Sequence, residues 1–279
     1  MDNNMTTIQL VAIDLDGTLL NQDVQLPPSS IIPLKQLNDQ GIRVVICTGR
    51  PIRGVKAYMD LLQQIGNLDY IILNNGGSVH HFPSLEVIDA TYLSHTEKES
   101  VYQLWQSVRE GNAQFVGISH DGFDLLESEE ASEHTLFDAN RINIEIQHIN
   151  YDEFMARDYL KIIAYGSVAD LDQLHLHIPS TIKESMTVIR SQPNIIEFLP
   201  QGINKRRGID YLVQRWNIPW DAIMTIGDER NDIDMLQAAG VGVAMANADD
   251  EVKQYADEIA GFNHEEGVAA FIRHYFKLK

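Results

Sequence analysis

The chain has a single cysteine, Cys47, so no intramolecular disulfide can form. That fits a reducing compartment. Cys47 sits inside an apolar run and reads as a small buried hydrophobe rather than a reactive thiol. Long apolar runs are missing too. None approaches the ~20 residues that a membrane-spanning helix needs. The opening "MDNNMTTIQL" has no basic segment followed by an apolar stretch, so no signal peptide is visible. Cations are scarce: 21 lysines and arginines face 40 aspartates and glutamates, a formal net charge of −19. That field repels phosphate backbones and anionic lipid, which argues against nucleic-acid and membrane partners. A small anionic substrate is still admissible, because a metal ion or a few lysines can dominate a site locally. Together these absences predict a soluble, cytoplasmic protein.

With 279 residues, 44% of them hydrophobic, the chain can build one large α/β domain or two smaller ones. Three continuous apolar runs come early: "IQLVAIDL" (8–15), "RVVICTG" (43–49) and "DYIILNNGG" (69–77). Unbroken apolar runs suit parallel strands covered on both faces. Between them lie helix-like stretches at 29–41, ending on Gly41, and at 51–66, opening on Pro51 and ending on Gly66. Strand and helix in alternation imply right-handed crossovers and a doubly wound parallel sheet. From 84 to 199 the pattern changes to alternating strands, "FVGISHDGFDLL", "INIEIQHI" and "LKIIAYG", which fit a half-exposed antiparallel sheet. A helix opens at Ser94 with Glu97 as its capping-box partner, and another runs through "VADLDQLHLHI". "ESEEASEH" (127–134) reads as a solvated loop. After 200 the first pattern returns: a helix at 205–217, a strand at 222–228, a helix ending on Gly240, the run "VGVAMANA" and two closing helices. The sequence therefore predicts an α/β domain split between 1–83 and 200–279, with a separate α+β module inserted at 84–199.

Ligands in open α/β sheets bind at the carboxyl ends of the strands. The first predicted strand ends in Asp14-Leu15-Asp16-Gly17-Thr18, the second in Thr48-Gly49-Arg50, and the third in Asn74-Asn75-Gly76-Gly77. The fourth ends in Gly227-Asp228-Glu229-Arg230-Asn231-Asp232, with Lys205 opening the helix before it. Carboxylates near a core are costly unless paired, hydrogen-bonded or bound to a metal. Asp14, Asp16 and Asp228 are hard oxygen donors of the kind magnesium takes together with waters and an anionic substrate. Lys205, Thr48 and the Gly49 amide add the positive charge and donors that clamp a phosphoryl group. Asp14, at the strand end itself, is the better candidate nucleophile. If the chain turns after Leu15, Asp16 can serve the leaving oxygen as acid and the attacking water as base.

At these residues the chain resembles the haloacid dehalogenase superfamily of hydrolases, and more narrowly its Cof-type, type IIB-capped sugar-phosphatase-like members. "DLDGTLL", "TGR", "GINK" and "GDERNDIDM" match that family's four motifs in order, and the likeness runs from about Ile8 to the last helix. The resemblance implies a Rossmann-like core with a mobile cap inserted at 84–199. It implies a magnesium-dependent phosphohydrolase of small phosphorylated metabolites working through an aspartyl-phosphate. By position, Asp14 matches the nucleophile, Asp16 the acid/base, and Lys205 the lysine that holds nucleophile and phosphoryl group. Leu15, Thr48, Gly49, Arg50, Lys205 and Asn231 match phosphate- or substrate-contacting positions. Asp14, Asp16, Asp228 and Asp232 match the metal-binding carboxylates. One departure stands out: the family commonly places glycine directly after the lysine, and here Arg206 and Arg207 follow, with Gly208 next. An extra cation there predicts a second anionic group on the substrate.

Other residues invite weaker readings. His80 and His81 are adjacent on a strand, point to opposite faces and cannot share a metal. Arg50 either salt-bridges within the core or lines the entrance. A phosphomutase or phosphotransferase would use the same residues and pass the phosphoryl group to another hydroxyl. A phospho-aspartate switch is the reading from a different class. It is disfavoured because switch domains are shorter and lack an aspartate two residues on to activate water.

Overall fold

In the computed structural model the described residues are 7–108 and 111–278. The first six residues, where most of the sequence read for a leader lies, fall outside them. The chain divides into two compact units. One comprises residues up to Gly49, Ala57–Asp89 and Asn204 onward; the other comprises Arg50–Lys56 and Ala90–Ile203. Residues 84–89 thus pack with the first unit rather than the insert, and 50–56 with the second. No helix among the described residues is long and apolar enough to cross a membrane.

The strands, in chain order, are β1 (Leu10–Ile13), β2 (Arg43–Cys47), β3 (Tyr70–Leu73), β4 (Ser78–His81), β5 (Val87–Ala90), β6 (Gln114–Ile118), β7 (Phe123–Leu126), β8 (Gln147–Ile149), β9 (Lys161–Tyr165), β10 (Met186–Gln192), β11 (Ile195–Pro200), β12 (Ile223–Gly227), β13 (Val241–Met245) and β14 (Glu258–Ala260). Eight of them form one sheet in the order β14-β13-β12-β1-β2-β3-β4-β5. From β14 to β3 neighbours run parallel, and β4 turns back antiparallel on β3. β1 is central and buried along its whole length, as its unbroken apolar run requires. The chain leaves β1 toward β2 on one side and later returns to β12 on the other. β1 and β12 therefore flank a topological switch point, where open α/β sheets bind their ligands. The fold is α/β with a parallel, Rossmann-like core.

The second unit carries a six-stranded sheet, β10-β11-β9-β6-β7-β8, antiparallel except where β7 meets β8. One face is covered by helices His95–Ser107 and Val168–His177, whose Val101, Leu104, Leu171 and Leu174 pack with Phe115, Ile162 and Phe198. The Ser94–Glu97 capping box forms, with Ser94 N donating to Glu97 Oε2 at 2.7 Å.

Several elements differ from the sequence reading. The helix expected over 51–66 is broken into short pieces, Ile52–Val55 and Met59–Leu62, joined by tighter turns. The break falls where the chain passes from one unit to the other, so its two halves serve different cores. The apolar run 69–77 stops at Leu73, because Asn74 and Asn75 turn into left-handed backbone and send the chain into β4. Of 142–149, only Gln147–Ile149 pairs as a strand. The hairpin of β10 and β11 and the edge strand β14 carried no strong sequence signal.

Candidate active site

The site is built at the carboxyl ends of β1 and β12. Asp14 N donates to Ile226 O at 3.0 Å, which extends the parallel ladder by one rung and fixes Asp14 where the strand ends. The chain then closes a wide turn, with Leu20 N donating to Leu15 O at 2.8 Å. Gly17 sits in that turn at φ +73°, and a Cβ there would run into the Asp228 carboxylate. Only glycine satisfies both the backbone angle and the close approach. Thr18 Oγ1 donates to Asp228 Oδ1 at 2.7 Å, which ties the first strand end to the fourth.

Lys205 opens the helix Lys205–Trp216, capped by Asn204, whose Oδ1 accepts from Arg207 N at 2.9 Å. Its ammonium group is buried and donates to Asp14 Oδ1 at 2.7 Å and Asp232 Oδ1 at 2.5 Å. Asp232 Oδ2 accepts from the amides of Asp228 and Glu229, both at 3.0 Å. Asp232 therefore braces the loop that presents Asp228 as well as holding Lys205. Asp14, Asp228 and Asp232 each offer a carboxylate oxygen, all within 4.8 Å of one another, and all three residues are buried.

The electrostatics are lopsided. Burial pushes the Asp14 carboxyl well above its ordinary value; Lys205 opposes this, while Asp232, Asp228 and Asp16 reinforce it. Burial, then Asp232, pushes Asp228 up to about 7, against the Thr18 hydrogen bond and Lys205. Burial pulls the Lys205 ammonium down, but Asp14 and Asp232 outweigh it and raise its pKa. Several crowded carboxylates thus share one buried ammonium. This donor set, hard oxygens in negative excess, fits a divalent cation such as magnesium.

The remaining predicted residues fall as follows. Asp16 lies half-buried in the turn after β1, close enough to raise Asp14. The Leu15 side chain is wholly buried, so only its backbone can face a ligand. Thr48 follows β2, its N donating to Ile72 O at 2.9 Å. Asn231 Nδ2 donates to Asn75 Oδ1 at 3.0 Å. Arg50 belongs to the second unit, where its Nη1 donates to Gly54 O at 3.0 Å. Arg206 is exposed, lies 3.7 Å from Asp210 and stacks over Trp220. Arg207 pairs with Asp89 at 2.5 Å and donates to Gly76 O. Arg207 is thus tied into the core unit, while Arg206 stays exposed beside Asp210 and Trp220. His80 is buried with Nε2 on Ser78 Oγ at 2.9 Å, and His81 stacks on Tyr70. Cys47 is buried and its thiol pushed up by burial, as its apolar surroundings predict.

Three contributors were not assigned a role from sequence. Thr18 belongs to the D-x-D-G-T motif, so its signal was present. Asn75 lay in a strand-end asparagine pair. Asn247, whose Nδ2 donates to Gly17 O at 2.8 Å and to Asp228 Oδ2 at 3.3 Å, follows β13 with no local pattern to mark it.

Residues 11–272 match the family model of haloacid dehalogenase-like hydrolases. YxeH of Bacillus subtilis (strain 168) is 33% identical over 264 residues, spanning 94% of this chain and 96% of its own. The 5-amino-6-(5-phospho-D-ribitylamino)uracil phosphatase YitU of the same organism is 30% identical over 275 residues, spanning 96% and 98%. Among solved structures, a haloacid dehalogenase-like hydrolase from Bacteroides thetaiotaomicron superposes with a TM-score of 0.84 at 26% identity, covering 97% of this chain and 100% of its own. The fold of the subclass IIB sugar phosphatase BT4131 is shared at a TM-score of 0.81 and 22% identity, over 96% and 99% of the two chains. A parallel-sheet core with an acidic cluster at its switch point, and a family match over nearly its whole length, make this chain a member of the haloacid dehalogenase-like hydrolases, in their Cof-type branch, and a phosphatase.

Proposed function

We propose that the protein is a magnesium-dependent phosphohydrolase of small phosphorylated metabolites, of the sugar-phosphate kind, working through an aspartyl-phosphate on Asp14. One observation carries this reading: the Asp14 carboxylate is buried, gripped by Lys205 Nζ at 2.7 Å, and crowded by Asp228 and Asp232. A carboxylate held this way is aimed and partly neutralised, which is what attack on an anionic phosphate ester needs.

An Asp14 carboxylate oxygen attacks phosphorus, and the bond from phosphorus to the substrate oxygen breaks. Asp16 gives its proton to the departing oxygen. Asp16 then takes a proton from water, which attacks the phosphorus of the aspartyl-phosphate and releases inorganic phosphate and Asp14. Lys205 offsets charge on the phosphoryl oxygens, while Thr48, the Gly49 amide, the Leu15 backbone and Asn231 orient them. Asp14, the Asp16 carbonyl and Asp228 would hold the magnesium ion, with Asp232 beside them, its oxygens already shared by Lys205 and two amides. When bound, that ion supplies charge neutralisation for the phosphoryl group. The inserted unit serves as the substrate-selecting cap that the resemblance implies. YitU, a relative of nearly equal length, is named for a phosphorylated ribityl compound, which supports a small phosphate monoester as substrate.

The test uses purified protein, magnesium and p-nitrophenyl phosphate. Turnover is expected to stop on chelation with EDTA and in Asp14→Asn. Undiminished turnover in Asp14→Asn would overturn the mechanism.

A further inference from the structure

The turn after β3 is built at a conformational cost. Asn74 and Asn75 adopt φ of +53° and +56°, a left-handed backbone that costs every residue but glycine and that asparagine tolerates better than most. Asn75 is also buried. Three contacts fix it. Its N donates to Thr48 O at 3.1 Å. A Cβ on Gly49 would lie 2.7 Å from Asn75 Oδ1 and 3.3 Å from Nδ2, so the carboxamide rests directly against the Gly49 backbone. Its Oδ1 accepts from Asn231 Nδ2 at 3.0 Å, across 156 residues of sequence. Behind the turn, a Cβ on Gly76 would strike the Asn204 carbonyl, immediately before Lys205. Asn231 Oδ1 is buried and has no hydrogen-bond partner among the described residues, so the bond to Asn75 is what holds that carboxamide.

A buried polar side chain in strained backbone, touching two separate strand ends, is expected where the structure must hold other groups still. We infer that Asn75 is a positioning residue for phosphoryl transfer. It fixes the Asn231 carboxamide and the Thr48–Gly49 backbone in the orientation in which they meet the phosphoryl oxygens. This rests on the reading above that Asn231, Thr48 and Gly49 contact the phosphoryl group.

The experiment is a double-mutant cycle. Asn75→Gly deletes the carboxamide and keeps a residue at ease with left-handed φ. Rates on p-nitrophenyl phosphate with magnesium, and inhibition by inorganic phosphate, are measured for wild type, Asn75→Gly, Asn231→Ala and the double variant. Each single substitution is expected to lower kcat/KM by about ten- to a hundredfold and to weaken phosphate inhibition by about tenfold, the scale of losing a supporting group that orients a site residue. The double variant should lie within about twofold of the weaker single, because both changes break one linkage. Asn75→Asp keeps an acceptor for Asn231 Nδ2 and tolerates left-handed backbone, so it serves where Asn75→Gly does not fold: in that background Asn231→Ala should still cost about tenfold or more in kcat/KM, and a silent Asn231→Ala there would overturn the inference. A general loss of stability would not reproduce that non-additivity. Losses that multiply, or an Asn75→Gly enzyme with wild-type kcat/KM and phosphate inhibition, would overturn the inference. A silent Asn231→Ala would overturn it too, while the phosphatase mechanism would still be decided separately by Asp14→Asn.

Discussion

Each compact unit buries a lysine against acid, and the two arrangements differ in their charge balance. In the second unit Lys161 on β9 meets Glu197 on β11 at 3.0 Å, with side chains 4% and 9% exposed. Glu197 lies opposite Ile163, so lysine and glutamate form a diagonal pair on one face of the sheet. Ser191 Oγ donates to the other Glu197 oxygen at 3.0 Å. In the first unit Lys205 is gripped by Asp14 and Asp232 while Asp228 crowds the same space. Among the described residues, that acidic trio is the one group with the geometry to hold a metal ion, and Lys161 has no counterpart to it. A buried ion pair can be a self-contained part of a core. An excess of buried negative charge calls for a cation from outside, and that excess marks the site.

The contrast can be broken by exchanging the roles of the two lysines. Lys205→Met is expected to lower kcat roughly a thousandfold or more, the scale of losing a group that stabilises transition-state charge. Lys161→Met, measured on the folded fraction, should leave kcat within about threefold; an equal loss would erase the distinction. Stability should show the Lys161 pair instead. Lys161→Met strands Glu197 and is expected to cost about 3–5 kcal/mol in urea unfolding, most of it recovered in Lys161→Met/Glu197→Leu.

Metal should sharpen the comparison further. Magnesium at a hundred times its Kd is expected to stabilise the wild type by about 2.7 kcal/mol, and Asp228→Asn by much less. In EDTA the sign reverses. The folded Asp228 carboxyl, pushed up to about 7 from 3.8, holds its proton more tightly than the unfolded one does. Metal-free stability is therefore highest below pH 4 as far as this group is concerned, and its contribution is lost as pH rises through about 7. Urea midpoints at pH 5 and pH 8 in EDTA check this: the wild type should lose more between them than Asp228→Asn. The smallest effect belongs to Arg206→Ala. Arg206 is exposed and lies 3.7 Å from a half-buried Asp210, so stability should stay within about 0.5 kcal/mol. KM for a bisphosphate ester relative to a monophosphate decides the second-anion reading: a selective rise in Arg206→Ala would support it, and an unchanged ratio would remove it.

The core was legible because its strands are continuous apolar runs, a signal that needs no knowledge of neighbours. Ile8–Leu15 therefore led straight to Asp14 at a strand end. The 51–66 segment misled for the opposite reason. Its periodicity is helical, but the chain changes units within it, and local pattern carries no record of which core a residue joins. The strand β14 was missed because a three-residue edge strand is too short to show a period. Among site residues, Asp14, Lys205 and Asp228 were readable from residue type at strand and helix ends, and Asp232 from the motif it shares with the family. Asn247 was not, since an exposed asparagine after β13 resembles any loop residue until the fold brings it to Asp228.

Residue order alone settled the α/β class and the acidic excess and pointed to Lys205 and acids at strand ends, because hydrophobic period and side-chain chemistry are local properties. The fold alone decided that Asp232 would brace the Asp228 loop, that Arg207 would pair with Asp89, and that Asn75 would reach Asn231. Those outcomes depend on hydrogen bonds between segments far apart in the chain, whose directions are set only when β1 and β12 come to lie side by side.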